Sequence, residues 1–309
     1  MHKVKLNGNS VVKTQFGIKD LENLSNVKAH TIRIWEKRYN LLEPDRTDTN
    51  IRKYDLDNLK KLLNIAYLYN AGYKISKIAS LDNVQIQELI KKNINGLDSE
   101  YMLNIFKSAM FEFDGQLFDA TLKKLLETKS FREVFVEIFV PLLNEMGILW
   151  HSGTIDPSHE HFISEKIKHT IISFSDKEKK ISTKPGPLFT LYLPYQEIHE
   201  IGLLYANYEL ISAGYNTIFL GANIPLESLT HILNSKQRVI FVTYFTIQPE
   251  NDNLKKYLSD FQTEVGSKGS CELWVLGNKA EKSSKNTKNL KFFRDITLFT
   301  DHIEKFQQS

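Results

Sequence analysis

The sequence predicts a multidomain protein in which two helical segments precede an α/β domain with a parallel sheet. Residues 1–82 contain short helical patterns separated by turn signals, and residues 97–177 contain apolar stripes at helical spacing. In residues 187–309, apolar runs of strand length alternate with amphipathic helices, which is typical of a doubly wound parallel sheet. A chain of 309 residues is long enough for these three domains.

The composition is that of a globular protein that stays in the cytoplasm. Apolar residues make up 41% and charged residues 25% of the chain. Cys271 is the only cysteine, which excludes an internal disulfide framework and a multi-cysteine zinc site. The N-terminus has no apolar segment followed by a cleavage site, and charged or amide residues interrupt every apolar run before it reaches membrane length. We therefore expect a cytoplasmic protein with no membrane partner.

The charge is distributed unevenly along the chain. The net charge is only +3, but residues 1–80 hold 15 Lys and Arg against 8 Asp and Glu. That segment carries +7, and the remaining residues carry −4. The asymmetry suggests a head that binds a polyanion on a neutral to acidic body.

The basic head is predicted to hold three helices and a hairpin. The first two helices cover about 18–24 and 28–38, and Ile32, Trp35 and Tyr39 form one buried stripe on the second. Pro44 and its polar neighbours predict a turn or hairpin. A third helix is expected from residue 56 to 71, with Gly72 ending it.

The segment TIRIWEKRYNLLEPDRTDTNIRKYD resembles the winged helix-turn-helix of the MerR transcription-factor family over about 65 residues. The likeness rests on the T-I-R-x-W-E core of the recognition helix and the Arg-x-Tyr of the wing. It implies binding to double-stranded operator DNA, with Trp35 in the core. The residues expected to reach bases or phosphates are Lys28, Thr31, Arg33, Lys37 and Arg38 on the helix and Arg46, Arg52 and Tyr54 on the wing.

The second segment is predicted to be a four-helix bundle. A polar stretch at residues 93–96 is expected to act as the hinge after the head, and Pro141 is expected to kink the third helix. After a turn at residues 151–155, Asp156 is a plausible N-cap and Pro157 a plausible first residue of the fourth helix.

A charged linker at residues 177–186 separates the bundle from the α/β domain. Ligands of doubly wound sheets bind at the carboxyl ends of the strands, so the loop after the first strand, residues 194–202, is the expected site. In that loop Glu197 precedes His199 by two residues, and a carboxylate at this spacing can fix the tautomer of a metal-binding histidine.

The loop E-I-H-E-I-G resembles the D-x-H-x-x-G loop of cobalamin-binding flavodoxin-like domains. The resemblance implies that His199 is the lower axial ligand of cobalt. It also implies cofactor contacts at Glu197, Gly202, Gly221, Thr243 and Gly277. Glu197 replaces the usual Asp, and Asn278 adds a side chain where the family often has a second Gly, so both departures could affect binding.

A second motif lies in the predicted bundle. Trp150-His151 and Glu160-His161 resemble the cap of the CarH/CarA/LitR photoreceptor regulators, which bind adenosylcobalamin. The resemblance implies that Trp150 covers the upper corrin face near Glu160 and His161, and that His151 is the candidate upper cobalt ligand after photolysis. The four histidines at 151, 159, 161 and 169 lack the i, i+4 spacing usual for zinc helices.

The order of the three segments is that of those photoreceptor regulators, and it implies a repressor rather than an enzyme. Adenosylcobalamin would bind between bundle and sheet, and light would cleave the cobalt–carbon bond and loosen a DNA-binding dimer or tetramer. The chain has no G-x-S-x-G elbow and no Walker loop. Two alternatives stay open: a degenerate sensor that answers to another ligand or partner, and a corrinoid methyl-transfer protein.

Overall fold

The chain forms two compact units, residues 1–166 and residues 167–309. The structure is a computed structural model that describes residues 13–93, 98–178, 186–234, 238–279 and 287–306. The N-terminal dozen residues, most of the expected hinge at 93–96 and most of the expected linker at 177–186 lie outside this described part. The boundaries 1–82, 97–177 and 187–309 stay predictions.

The first unit begins with the predicted helices and hairpin. Helices α1 (Ile18–Ser25), α2 (Ala29–Tyr39) and α3 (Leu56–Asn70) surround the short antiparallel strands β1 (Asp45–Arg46) and β2 (Arg52–Lys53). Asp55 caps α3 by accepting the backbone N–H of Asn58 at 2.8 Å. Gly72 follows α3 with φ of 90°, a left-handed conformation that glycine adopts without strain. The expected hairpin and the expected end of the third helix are therefore confirmed.

The rest of this unit is helical. Helices α4 (Ile75–Ile78) and α5 (Asn83–Asn93) complete the head, and α6 (Ser99–Glu112) and α7 (Gly115–Leu125) follow. Helix α8 (Phe131–Val134) continues through a π-helical turn, Phe135–Phe139, into α9 (Val140–His151). Helix α10 (Pro157–Glu178) crosses from the first unit into the second. The arrangement of these helices as a separate four-helix bundle stays a prediction.

The expected perturbation at Pro141 takes the form of that π turn. Proline has no backbone N–H, and its ring crowds the carbonyl one turn earlier, which is that of Glu137. Glu137 lies within the wider π turn, so the helix accommodates the proline there and runs on to His151.

The stretch from Phe131 to His151 is the one described helix long and apolar enough to span a membrane, with a mean hydropathy of 1.3. One side of this helix packs within the first unit, where Phe139 contacts the rings of Phe106 and Phe118. Glu145 on the same helix pairs with Lys107 of α6 at 2.5 Å. Length and composition are therefore weak evidence for a membrane span here.

The head packs directly on the helices that follow it within the first unit. Phe16 meets Phe111 of α6 edge to face, with ring centroids 5.2 Å apart. Lys107 of α6 is 6% exposed, and its ammonium donates to the carbonyl of Leu24 at the end of α1. Asn23 of α1 donates to the hydroxyl of Thr154 at 3.0 Å. The contacts join the head to both α6 and the turn between α9 and α10.

The second unit contains the predicted parallel sheet. Its strands are β3 (Leu188–Pro194), β4 (Thr217–Ile224), β5 (Val239–Tyr244), β6 (Cys271–Leu276) and β7 (Leu290–Phe293), in the order β4-β3-β5-β6-β7. All five are parallel. The central strands β5 and β6 are buried on both faces, whereas most of β4 at the sheet edge is partly exposed.

Helices flank this sheet. They are α11 (Ile201–Ser212), the short α12 (Leu226–Leu229), α13 (Leu254–Phe261) and α14 (Ile296–Phe306). The strand order reverses direction between β3 and β5, because β4 lies on one side of β3 and β5 on the other. Such a switch point opens a crevice at the carboxyl ends of the two strands, and the expected loop at 194–202 begins there.

Candidate DNA-binding surface and cobalamin site

The second helix of the head presents a cationic surface opposite its buried stripe. Ile32 and Trp35 are buried, which confirms the core position expected for Trp35. The exposed cations are Lys28 at the N-cap of α2 and Arg33, Lys37 and Arg38 on the helix, whereas Thr31 is partly buried. The turn of the hairpin adds Arg46, which is exposed and donates to Asn50 at 2.7 Å.

Glu36 joins the wing to this helix, a role not predicted from the sequence. Its carboxylate accepts from Arg52 Nε at 2.8 and 3.1 Å and from the hydroxyl of Tyr54 at 2.9 Å. Two groups that lie 16 and 18 residues from Glu36 in the chain thus meet at its side chain. The Glu of T-I-R-x-W-E and the Arg and Tyr of the wing are the sequence features that could have indicated this contact.

Tyr54 does not serve as the expected phosphate contact. Its side chain is fully buried, and its backbone pairs with that of Phe16. Burial, followed by the hydrogen bond to Glu36, raises the pKa of the Tyr54 phenol above its ordinary value. The expectation for Tyr54 is therefore wrong, because an aromatic ring at this position fills the core under the wing. Arg52 is partly exposed, and its guanidinium is held by Glu36.

In the second unit, Glu197 joins the loops that follow β3 and β5. Its Oε1 accepts the N–H groups of Ile198 and His199 at 3.0 Å each and contacts His199 Nδ1 at 2.6 Å. Its Oε2 accepts the N–H groups of Ile247 and Gln248 at 2.7 Å each and that of Thr246 at 3.3 Å. The side chain is fully buried. The longer Glu in place of Asp therefore still reaches His199.

The carboxylate of Glu197 is held in its charged form. Burial alone would raise its pKa, but hydrogen bonds from His199 and from the amides of Gln248, His199 and Ile247 outweigh burial and lower the pKa to about 2. An anion facing Nδ1 favours a proton on that nitrogen, which leaves the lone pair on Nε2 to bind a metal. The His199 side chain is 46% exposed at the carboxyl end of the sheet.

Three glycines shape the surroundings of this pair. A Cβ on Gly202 would lie 2.5 Å from the ring of Tyr244, and one on Gly277 would lie 2.5 Å from the carbonyl oxygen of Phe245. Gly277 and Gly221 also have φ of 107° and 81°, and Gly221 lies where the β3–β4 register shifts. Close packing therefore requires glycine at 202 and 277, and the left-handed backbone favours it at 221 and 277.

Thr243 gives the site an unsatisfied polar group. It lies near the carboxyl end of β5, is fully buried, and its hydroxyl has no hydrogen-bond partner among the residues that the structure describes. A buried hydroxyl without a hydrogen-bond partner destabilises the folded protein unless a ligand or a water molecule supplies that hydrogen bond. Together with the His199–Glu197 pair, it fits the donor set of a cobalt corrinoid with an imidazole axial ligand. The side chain of Asn278 is exposed.

The upper-face candidates lie in the first unit, on both sides of one turn. Trp150 and His151 end α9 and are exposed, and Glu160 and His161 lie in the first turns of α10. Glu160 contacts His161 Nδ1 at 2.8 Å and accepts from the hydroxyl of Ser164 at 2.7 Å. The roles of these four residues stay predictions.

Another histidine of this region, His159, packs in the core. It is fully buried between the rings of Phe111 and Phe113, with centroids 5.0 and 5.1 Å away. The part of the chain with described side chains holds no group of three His, Cys, Asp or Glu that could bind a metal ion.

Comparison with known protein families assigns two regions of the chain. Residues 16–83 match the MerR HTH family regulatory protein, and residues 102–171 match the B12 binding domain. The first match covers the head with its α2 and wing, and the second covers the helices that contain Trp150, His151, Glu160 and His161.

Two curated relatives are similar to this chain over about two thirds of its length. The chain is 28% identical over 214 residues to the HTH-type transcriptional repressor CarH of Myxococcus xanthus, covering 67% of this chain and 70% of that protein. It is 25% identical over 219 residues to the repressor CarA of the same organism, covering 69% and 70%. The solved monomethylamine corrinoid protein of Methanosarcina barkeri shares the fold, with a TM-score of 0.54, 10% identity, and coverage of 67% of this chain and 100% of that one. The chain therefore combines a MerR HTH region with a B12-binding region, and it resembles the CarH and CarA repressors.

Proposed function

We propose that this protein is a cytoplasmic transcriptional repressor that binds adenosylcobalamin and changes its self-association in light. The observation that carries the cobalamin part is the buried Glu197 that holds His199 by its Nδ1 at 2.6 Å. The pair reproduces the carboxylate–histidine arrangement that orients an axial ligand. The adenosyl form and the light response rest on the Trp150-His151 and Glu160-His161 pairs.

Adenosylcobalamin, when bound, supplies a cobalt–carbon bond that light cleaves. His199 would present Nε2 to the cobalt, and Glu197 would keep the proton on Nδ1. The hydroxyl of Thr243 would form its missing hydrogen bond with the cofactor. The glycines at 202, 221 and 277 would let the backbone come close to the cofactor. We assign Trp150, Glu160 and His161 to the adenosyl side, and His151 to the upper cobalt position after photolysis.

The DNA-binding part would act through several heads at once. A single MerR-type head makes few base contacts, and joining heads in a dimer or tetramer raises the local concentration of the second head at its half-site. Loss of self-association would then release DNA without any change in base contacts. The direct contacts we propose come from Lys28, Thr31, Arg33, Lys37, Arg38, Arg46 and Arg52.

One comparison tests this function. Purified full-length protein is loaded with adenosylcobalamin in the dark, and its absorption spectrum, its size by light scattering and its DNA affinity are measured before and after illumination. We expect a bound corrinoid spectrum, a larger oligomer and tighter DNA binding in the dark sample. Absence of a bound corrinoid spectrum would overturn the cobalamin part, and light-independent size and affinity would overturn the photoreceptor part.

His199→Ala tests the axial ligand. We expect it to weaken cobalamin binding or to change the spectrum of the bound corrinoid, while DNA binding by the head is retained. The matched control is His169→Ala, because His169 is an exposed histidine outside the loop after β3. An unchanged spectrum and affinity in His199→Ala would show that another group binds cobalt.

A further inference from the structure

The outward face of α2 contains one apolar side chain among its cations. Ile34 is 54% exposed, whereas Ile32 and Trp35 of the buried stripe are 0% and 5% exposed. At 100° per residue, Ile34 lies about 200° from Ile32, next to Lys37 one turn further on. Arg33 and Arg38 are exposed on the flanks of the same face.

We propose that Ile34 determines operator specificity by packing on the 5-methyl group of a thymine in the major groove. The proposal rests on DNA binding by the head and names a base contact that this binding does not by itself require. The cations around Ile34 would bring the helix face against phosphates, which carry no sequence information. In a surface of cations and polar groups, Ile34 is the side chain suited to the one apolar feature of the groove, the thymine methyl.

Burial explains why this contact would discriminate between bases. When Ile34 packs in the major groove, its apolar surface is removed from water where it contacts the thymine methyl group. Removal of one buried methyl lowers affinity by about three- to fivefold. Cytosine at the same position presents an amino donor that Ile34 cannot pair, so the discrimination against cytosine should be larger.

The test begins with selection of a preferred duplex from random DNA by the full-length protein. Each thymine of that duplex is then replaced by deoxyuridine, which removes only the methyl group. We expect one thymine whose replacement weakens binding of the unchanged protein about three- to fivefold. Binding of Ile34→Ala should be insensitive to the same replacement, and Ile34→Val should retain part of the sensitivity.

Ile51→Ala is the control, because Ile51 is an equally exposed isoleucine, at 59%, in the turn of the wing. It should leave the methyl effect at that thymine unchanged. Circular dichroism and light scattering check that fold and size are preserved.

Three results would overturn the inference. One is a methyl effect that persists in Ile34→Ala at every thymine, and another is a change of oligomeric size in Ile34→Ala that accounts for its DNA affinity. The third is an unchanged protein that binds its selected duplex tightly with no methyl-sensitive thymine. A protein that selects no duplex at all would contradict DNA binding by the head as well, so the two failures are distinguishable.

Discussion

At the residue scale, Glu197 determines how the loop after β3 is arranged. One buried carboxylate accepts five backbone N–H groups and contacts the imidazole of His199. The interactions stabilise the ionised form, and they also tie the β3 loop to the β5 loop. His199 therefore gains both its tautomer and its position from a neighbour two residues away.

Glu197→Gln is expected to weaken cobalamin binding about 10- to 100-fold, because the amide would place a donor against N–H groups that require an acceptor. The affinity is measured by spectral titration in the dark. Glu200→Gln is the matched control, since Glu200 pairs with Lys168 at 3.2 Å and should leave the affinity unchanged. Equal affinities for Glu197→Gln and the unchanged protein would contradict the role of Glu197.

The same carboxylate makes the second unit sensitive to acid. The pKa of Glu197 falls from 4.5 to about 2 on folding, so its contribution to stability is fully present above about pH 4.5. The contribution is lost as the pH falls from 4.5 towards 2, because the folded protein then takes up the proton. We expect the stability difference between the unchanged protein and Glu197→Gln to be largest near pH 7 and to shrink steadily below pH 4.5.

The measurement is urea unfolding at a series of pH values, followed by hydrogen exchange of peptides that span β3 and β5. This readout reports on the second unit alone. A stability difference that stays constant between pH 7 and pH 3 would show that Glu197 is not the titrating group.

At the element scale, the helices and strands follow the apolar spacing of the sequence. The contacts between elements are made by side chains that lie far apart in the sequence. The buried stripe of α2, the end of α3 near Gly72 and the five strands lie where periodicity predicts them. The wing is different, because the MerR resemblance predicts phosphate contacts for Arg52 and Tyr54. In the fold, both turn towards Glu36 of α2, since Tyr54 is placed in the core by its pairing with Phe16.

Gly202→Ala is expected to destabilise the second unit by about 1–3 kcal/mol, because its methyl would collide with the ring of Tyr244 and push α11 away from β5. Gly147→Ala in α9 is the control. No atom lies within 4 Å of the added methyl there, so the better helix propensity of Ala should stabilise the first unit by about 0.5–1 kcal/mol. Urea unfolding with hydrogen exchange of the two helices measures both effects. Equal effects of the two substitutions would contradict the close packing at Gly202.

At the scale of the whole molecule, the head is in direct contact with helices that follow it in the chain. Residues 1–166 form one compact unit, and Lys107 lies at the junction, bound to Leu24 of the head and to Glu145 of α9. The turn after Trp150 and His151 contacts the head through Thr154 and Asn23. The head is therefore joined by direct contacts to the turn that follows α9.

Lys107→Ala is expected to destabilise the first unit by about 1–3 kcal/mol, because it removes a packed side chain and leaves Glu145 without this cation. Lys107→Met should lose less, since Met retains most of the buried volume. Protection of α1 and α2 against hydrogen exchange in urea reports the difference. An equal loss for Lys107→Met and Lys107→Ala would contradict the packing argument, because both variants lack the charge and only Met retains the volume.

Local periodicity and short motifs are enough to predict the elements, the parallel sheet, the two family resemblances and the pairing of Glu197 with His199. The three-dimensional fold was needed to show that Glu36 holds the wing, that Tyr54 is core and that Ile34 lies exposed among cations. It also shows that Glu197 reaches the loop after β5, about fifty residues away in the chain. Contacts of this kind depend on which strands become neighbours, and that choice is made by burial of the whole core rather than by any local spacing.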